Sequence, residues 1–432
     1  MLRDEDFCLW RARVPRVKHI GTCPGGRWWT APRRCLLDIS FYDSLELHGV
    51  IPIDLISYAG KDRTDSVTFR RVISPHVVEL AFSSYPPSGP SYFSSQGLKF
   101  TLPHTLRALR FEGILRFDLS LFHDALLTLP CLEVLRCLNT FPVSDAVLRH
   151  LLSSAILQEL ELGNPPQDFR RCQPAQTLLR LQHLGLRADR LEESLAVLTL
   201  LDTSRLESIK IHHDYDRRPL ATRDDPHLFE SLLSCCSTLL LKKIELIGTA
   251  DGYPPQAFNI NVKNAEPLLK FRNLEELIIT SQGGLTFNND LLELFSRSWL
   301  GMQHLELNLI HSYWKNVIQY HITLDGLRFL AQSWPNLEYL DICLTAKGCS
   351  GNSIENLPLD HGQQSRCMKL RSLGISCDSR VEAEPIVVAT FLHNIFPNLS
   401  TIRALENANL PDKWREVQEI LKNLVSRRDC TL

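Results

Sequence analysis

Leu132-Glu133-Val134-Leu135-Arg136-Cys137 is followed by Leu157-Gln158-Glu159-Leu160-Glu161-Leu162, then Leu181-Gln182-His183-Leu184-Gly185-Leu186, then Leu206-Glu207-Ser208-Ile209-Lys210-Ile211. Each hexamer reads apolar-x-x-apolar-x-apolar, and successive hexamers start about 25 residues apart. The fourth and sixth positions are two residues apart, so they share one face of a short strand while the residue between them points the other way. Between hexamers the period changes. Ser144 is followed by Val147, Leu148, Leu151 and Leu152, apolar positions that return at helical spacing. One strand and one helix cannot bury such faces alone, so the units must stack.

Working outward, the same signature recurs. Val77, Leu80 and Phe82 precede Leu106, Leu109 and Phe111. Downstream come Leu241-Ile244-Leu246, Leu274-Leu277-Ile279, Met302-Leu305-Leu307, Leu337-Leu340-Ile342, Leu370-Leu373-Ile375 and Leu399-Ile402-Ala404. The downstream starts are roughly 28–35 residues apart, so the extra length should leave as loops at 212–225, 248–256, 311–319 and 345–364. Leu129-Pro130, Trp334-Pro335-Asn336 and Phe396-Pro397-Asn398 each stand just before a triplet, where proline ends the helix. The predicted fold class is α/β, a leucine-rich-repeat solenoid: a right-handed curved horseshoe with parallel strands on the concave face and helices on the convex face. Residues 75–410 form the array. Residues 411–432, carrying Trp414, Val417, Ile420, Leu421 and Leu424, are expected to be a capping helix.

Residues 1–74 read as an N-terminal cap with degenerate repeats. Phe7, Trp10 and Val14 suggest a helix stopped by Pro15. Val17-Ile20-Thr22 and Leu36-Ile39-Phe41 are weak triplets, and the stretch that follows carries no assignable pattern.

Composition narrows the function. Among 432 residues 44% are hydrophobic, and a formal net charge of −2 gives no footprint for nucleic acid or an acidic membrane. No apolar run of about 18 residues marks a transmembrane helix, and the N-terminus lacks a signal-peptide core. The 13 cysteines are scattered without Cys-x-x-Cys. Cys137, Cys343 and Cys377 fall in or after triplets and Cys235-Cys236 on a helix, as buried thiols of a reducing compartment would; a cytoplasmic or nuclear location is expected. The ninth repeat position, often Asn or Cys, is Asn only at Asn407 and Asp at Asp189, Asp214 and Asp378, so the turns must satisfy their backbone groups otherwise.

The repeats resemble those of F-box/leucine-rich-repeat proteins, particularly the large fungal group. The resemblance covers most of the chain from about Phe7 and rests on the triplets, on Trp334-Pro335-Asn336-Leu337-Glu338-Tyr339-Leu340-Asp341, and on the terminal Trp414 helix. It implies a protein-interaction scaffold: the substrate-recognition region of an SCF-type ubiquitin ligase, whose adaptor docks on a helical F-box. No Leu-Pro-x-Glu opening stands near the N-terminus, so the ligase role implies an F-box supplied upstream. The alternative is a free-standing regulator or inhibitor on the same solenoid.

No enzyme signature emerges. His212-His213-Asp214-Tyr215-Asp216-Arg217-Arg218 offers metal-ligating types without a four-ligand spacing and reads as a solvated loop. Gly283-Gly284 lacks a following Lys-Ser/Thr, and Gly-x-Ser-x-Gly and His-Glu-x-x-His are absent. Glu159 and Glu161 fall on the exposed strand face, where both would be hydrated. No cofactor or metal is expected. What remains is the outward strand row: Ala81, Arg110, Arg136, Glu161, Gly185, Lys210, Glu245, Ile278, Glu306, Asp341, Gly374 and Arg403, roughly 50–60 Å long at strand spacing. Within it Glu245, Glu276, Ile278, Glu306, Tyr339 and Asp341 are the candidate partner-binding residues. Mutually repelling carboxylates beside Ile278 and Tyr339 would receive a basic segment of a protein partner, with the chain itself a monomer.

Overall fold

The computed structural model describes residues 19–21, 57–61, 79–83, 102, 104–112, 119–163, 180–188, 191–201, 203, 205–215, 227–250, 265–281, 287–309, 322–347, 367–376, 379–404 and 410–429. The chain divides into two compact units, Met1–Ala188 with Leu200–Asp202, and Asp189–Thr199 with Thr203–Leu432. Each is a stack of leucine-rich repeats, and the α/β solenoid expected from the triplets is the fold observed.

The first unit carries β1 (His19–Gly21), β2 (Ser57–Lys61), β3 (Glu79–Ser83), β4 (Ala108–Glu112), α1 (Leu119–Leu126), β5 (Val134–Pro142), α2 (Asp145–Leu152), β6 (Glu159–Gly163) and β7 (His183–Ala188). Its strands pair in parallel, each with the next in sequence. Sequence reading assigned nothing at 57–61, yet β2 lies directly beside β1. The Leu36-Ile39-Phe41 triplet, the Phe7–Val14 helix, Asn407 and Gly283-Gly284 lie outside the described residues. The triplets behave as read: Leu132, Leu135, Cys137, Leu157, Leu160, Leu162, Leu181, Leu184 and Leu186 are all buried. Ser144 caps α2 by accepting from the Val147 N–H at 3.4 Å, and Val147, Leu148, Leu151 and Leu152 form its buried stripe.

The second unit holds most of α3 (Leu191–Leu200), then β8 (Ser208–Tyr215), α4 (His227–Cys235), β9 (Lys243–Ala250), a 3₁₀ turn at Leu268–Lys270, β10 (Glu276–Ser281), α5 (Asn289–Ser298), β11 (His304–Leu309) and α6 (Leu324–Ser333). It closes with β12 (Tyr339–Ile342), β13 (Thr345–Ala346), β14 (Ser372–Ile375), β15 (Arg380–Val381), α7 (Pro385–Ile395), β16 (Thr401–Ala404) and α8 (Asp412–Asp429). The parallel sheet runs β8-β9-β10-β11-β12-β14-β16, and β13 pairs with β15 separately.

Three of the expected loops, 212–225, 248–256 and 345–364, begin as strands. β8 and β9 stay in register for eight residues, so His212, His213, Asp214 and Tyr215 pair with Ile247, Gly248, Thr249 and Ala250. His213 continues the inward alternation of Ile209 and Ile211 and is buried, which corrects its reading as solvated loop. Thr345 and Ala346 likewise form β13.

Just before most strands a fixed backbone ladder joins neighbouring repeats, two successive N–H groups sharing one carbonyl. Glu275 and Glu276 both donate to Lys242 O, Gln303 and His304 to Glu275 O, and Glu338 and Tyr339 to Gln303 O. The helix-to-strand return is equally regular. Trp299, Trp334 and Phe396 end α5, α6 and α7, each N–H bonded four residues back, and each aromatic ring is fully buried. Side chains also tie the turns before the strands to one another. Asn273 Nδ2 donates to Leu239 O at 2.8 Å, and Asn398 Nδ2 to Met368 O at 2.6 Å, tying each turn to the one before. Asn289 caps the following helix, its Oδ1 accepting from the Thr323 N–H at 3.0 Å. Gly326 makes room for it, because a Cβ there would stand 2.4 Å from that oxygen.

The last strand would leave an open edge. α8 covers it: Trp414, Val417 and Leu421 are fully buried, and Trp414 Nε1 donates to Ser379 O at 3.2 Å. Gln418 does what a further strand would do. Its Oε1 accepts from the Ile402 N–H and its Nε2 donates to Ser400 O at 2.8 Å.

Candidate protein-docking face

Strand register decides which side chains share the open face. In the second unit the central row is Lys210, Glu245, Ile278, Glu306, Asp341, Gly374 and Arg403. The row beside it is Ser208, Lys243, Glu276, His304, Tyr339, Ser372 and Thr401. In the first unit the expected row Ala81, Arg110, Arg136, Glu161 and Gly185 is in register too. The inward positions are filled with Leu and Ile, so the outward ones are free to carry charge.

All six candidate residues therefore share one face, but the carboxylates are not left to repel one another. Lys210 Nζ lies 2.7 Å from Glu245 Oε1. Lys243 Nζ stands between two acids, 2.8 Å from Glu276 Oε2 and 3.9 Å from Glu245 Oε2. His304 Nε2 is 3.5 Å from Glu306 Oε2. The expectation of an uncompensated acidic patch is corrected by the lysine pairs: Lys210 and Lys243 stand among Glu245 and Glu276 and balance them in place, while Glu306 has the His304 imidazole beside it. The same holds in the first unit, where Arg136 pairs with Glu159, a residue 9% exposed and not simply hydrated.

Asp341 departs furthest from its reading. It is 1% exposed, held by the Tyr339 hydroxyl, which donates to Oδ2 at 2.8 Å, and by Arg403 Nη2, 2.7 Å from Oδ1. Arg403 also stacks on Tyr339, its guanidinium carbon 4.3 Å from the ring centroid, and the His304 ring lies 4.1 Å from the same ring. Asp341 and Arg403 are separated by one strand, whose residue in that row is Gly374; with no side chain there, they meet across it. Burial raises the Asp341 carboxyl above the usual carboxylate range, although Tyr339 and Arg403 both pull it down. Burial likewise pushes the Tyr339 phenol up to about 12, so it stays a hydrogen-bond donor at neutral pH.

Ile278 is half-buried at the middle of the face, with Ile247 half-buried beyond Glu245 on β9. Sequence reasoning placed Arg403 in the row without a role, and it missed Lys243 and His304. Their signal was available: both stand two residues before Glu245 and Glu306, where period-two alternation puts them on the same face.

The described cysteines are thiols, and Cys137 and Cys236 are raised to about 12 by burial, as inert core residues are. Among the described residues no group of three or more His, Cys, Asp or Glu is placed to hold a metal ion. No described helix is long and apolar enough to cross a membrane.

Neither a family profile nor a curated protein matches this sequence. Among solved structures, the leucine-rich-repeat-containing protein LegL7 from Legionella pneumophila aligns over 93% of this chain and 97% of its own, at 13% identity and a TM-score of 0.30. A protein from Bacteroides fragilis aligns over 79% of this chain and 73% of its own, at 13% identity and a TM-score of 0.29. Likenesses of that size carry no argument about what the chain does.

Proposed function

We propose that this chain is a protein-interaction scaffold that receives a partner protein on the strand face of its second unit. The observation that carries the reading is the registered cluster of Ile278, Tyr339 and Arg403 among ion-paired acids. A tyrosine ring and a stacked arginine are among the residue types that dominate binding energy at interfaces, and Ile278 adds apolar contact beside them. Glu245, Glu276 and Glu306 form the polar surround. Glu276 and Glu306 favour a basic side chain of the partner, which would take the place of Lys243 or of the His304 imidazole. Asp341 is too buried to touch the partner and serves by fixing Arg403.

The test is affinity capture from native extract with the wild-type chain, with Ile278→Asp and Tyr339→Ala, and with Ile386→Ser as an exposed control on α7. A specific partner should be lost with the first two and kept with the third. If every captured protein survives all three changes, the strand-face reading fails. Adding Glu276→Lys and Glu306→Lys should slow association at low salt if the partner is basic there. The setting follows the resemblance of the repeats, substrate recognition for an SCF-type ubiquitin ligase. Adaptor and cullin subunits should then co-purify with the chain when it is expressed together with the upstream F-box segment that this role implies. Their reproducible absence leaves a free-standing regulator.

A further inference from the structure

The large exposed hydrophobic residues of the second unit are not on the strand face. Leu239 is 67% exposed, Leu300 64% and Met368 48%; Leu240, 44% exposed, adjoins the first, and Ile386, 52%, lies on α7. The pattern is in Leu239, Leu300 and Met368. Counted from the triplets, all three occupy one repeat position, two residues before Leu241, Met302 and Leu370 respectively. This is the turn where each helix gives way to its strand. The intervening repeats put Arg272 and Pro335 at that position, both exposed.

These five turns are neighbours in order, because the ladder of shared carbonyls joins Lys242, Glu275, Gln303 and Glu338 in succession and β12 pairs directly with β14. Asn273 bonds back to Leu239 O, and Cys367 Sγ donates to Leu337 O at 3.3 Å. Leu239, Leu300 and Met368 therefore form a ridge along the edge of the sheet, one apolar side chain every second repeat. Solvent-exposed turns gain nothing in folding from three such residues in register, and exposed apolar rows of this kind mark contact surfaces.

We propose that this ridge is a second docking surface, independent of the strand face, and that its occupant is a short amphipathic helix with acidic flanks from a partner protein. Spacing is the first argument. Two strand spacings are about 9.6 Å, so the three side chains span about 19 Å. A helix repeats an apolar position every seven residues, about 10.5 Å, and i, i+7 and i+14 span about 21 Å. Charge is the second. Lys242 and Lys369 are already paired with Glu207 and Glu338, while Lys270, Arg272 and Arg371 are exposed cations of the same turns with no carboxylate bound to them among the described residues. Glu275 adds one carboxylate to these turns against those three cations, so the ridge presents a net positive border. Area is the third: three side chains fall far short of the roughly 800 Å² per partner of a standard interface between two globular proteins, which disfavours a second copy of this chain.

The experiment pans a displayed library of random peptides of about 16 residues on the full chain. Peptides that also bind the Leu239→Ser, Leu300→Ser, Met368→Ser triple variant are removed. Because all three positions are exposed, the variant should keep the wild-type circular dichroism and melting temperature. The expected result is enrichment of sequences with apolar residues at i, i+3 or i+4 and i+7 and with Asp or Glu beside them. Their affinity should fall about ten-fold or more on Leu300→Ser alone and be unmoved by Ile278→Asp, which separates this surface from the strand face. Enrichment of basic or extended sequences would overturn the proposal, as would a pool that does not distinguish the two proteins. A triple variant that fails to fold would show that these side chains serve the core, and would overturn it too.

Discussion

Removing Arg403 should hurt this protein more than removing the acid it serves. Asp341 is 1% exposed, and Arg403, at 37% side-chain exposure, is the only cation that reaches it among the described residues. Arg403→Met keeps much of the aliphatic stem over Tyr339 and leaves a buried carboxylate with one neutral donor. Stripping one partner from a buried pair costs about 3–5 kcal/mol. Because Arg403 is more than a third exposed, water can replace part of its contribution, and we expect about 2–3 kcal/mol. Asp341→Asn removes the buried charge, lets Arg403 turn to solvent and should cost less than about 1 kcal/mol. The double variant should recover most of the loss.

The sign of the pH dependence follows from burial. A carboxyl raised in the folded state binds its proton more tightly there than in the unfolded chain, so stability falls as pH rises from the ordinary carboxylate value through the folded one. Without Arg403 the folded value rises further. The Arg403→Met penalty should therefore be full at pH 7 and shrink as pH is lowered towards that of an unperturbed carboxylate. Urea unfolding followed by circular dichroism at two pH values reads this directly. Equal losses for Arg403→Met and Asp341→Asn, or a penalty identical at both pH values, would refute the reasoning.

Two further outcomes test the stack itself. Leu160→Asp places a carboxylate at a position 1% exposed between neighbouring repeats and should cost several kcal/mol, whereas half-buried Gln158→Asp should cost about 0.5–1 kcal/mol; equal damage in thermal unfolding would rule out the register. Gln418→Ala leaves the Ile402 N–H and Ser400 carbonyl without their amide and should cost about 1–3 kcal/mol, with faster hydrogen exchange confined to β16; unchanged exchange at Ile402 would show that α8 shields the edge by burial alone.

The repeating elements were legible because their signal is local and repeated. Twelve or so residues of each unit carry the triplet and the helix stripe, and every repeat restates them. The return turns were legible at Trp334-Pro335-Asn336 and Phe396-Pro397-Asn398 for the same reason. What failed was local structure set by a neighbour. β2, with the sequence Ser57-Tyr58-Ala59-Gly60-Lys61, has no apolar triplet and is a strand because β1 and β3 flank it. His212 to Tyr215 looked polar enough for a loop, yet β9 beside them continues the hydrogen-bonding pattern. The cross-repeat cap from Asn289 to Thr323 joins residues 34 positions apart and has no short-range signature.

The docking face shows the same boundary between what alternation reveals and what only stacking decides. Period two assigned all six candidate residues to one face, and the register agrees. It could not say which charges would answer one another, because that depends on the exact stagger of strands far apart in sequence. Asp341 and Arg403 are 62 residues apart, and they meet across Gly374, the residue of the intervening strand in that row. An acidic row read from sequence becomes, once stacked, a largely ion-paired surface with an arginine fixed by an acid that solvent scarcely reaches.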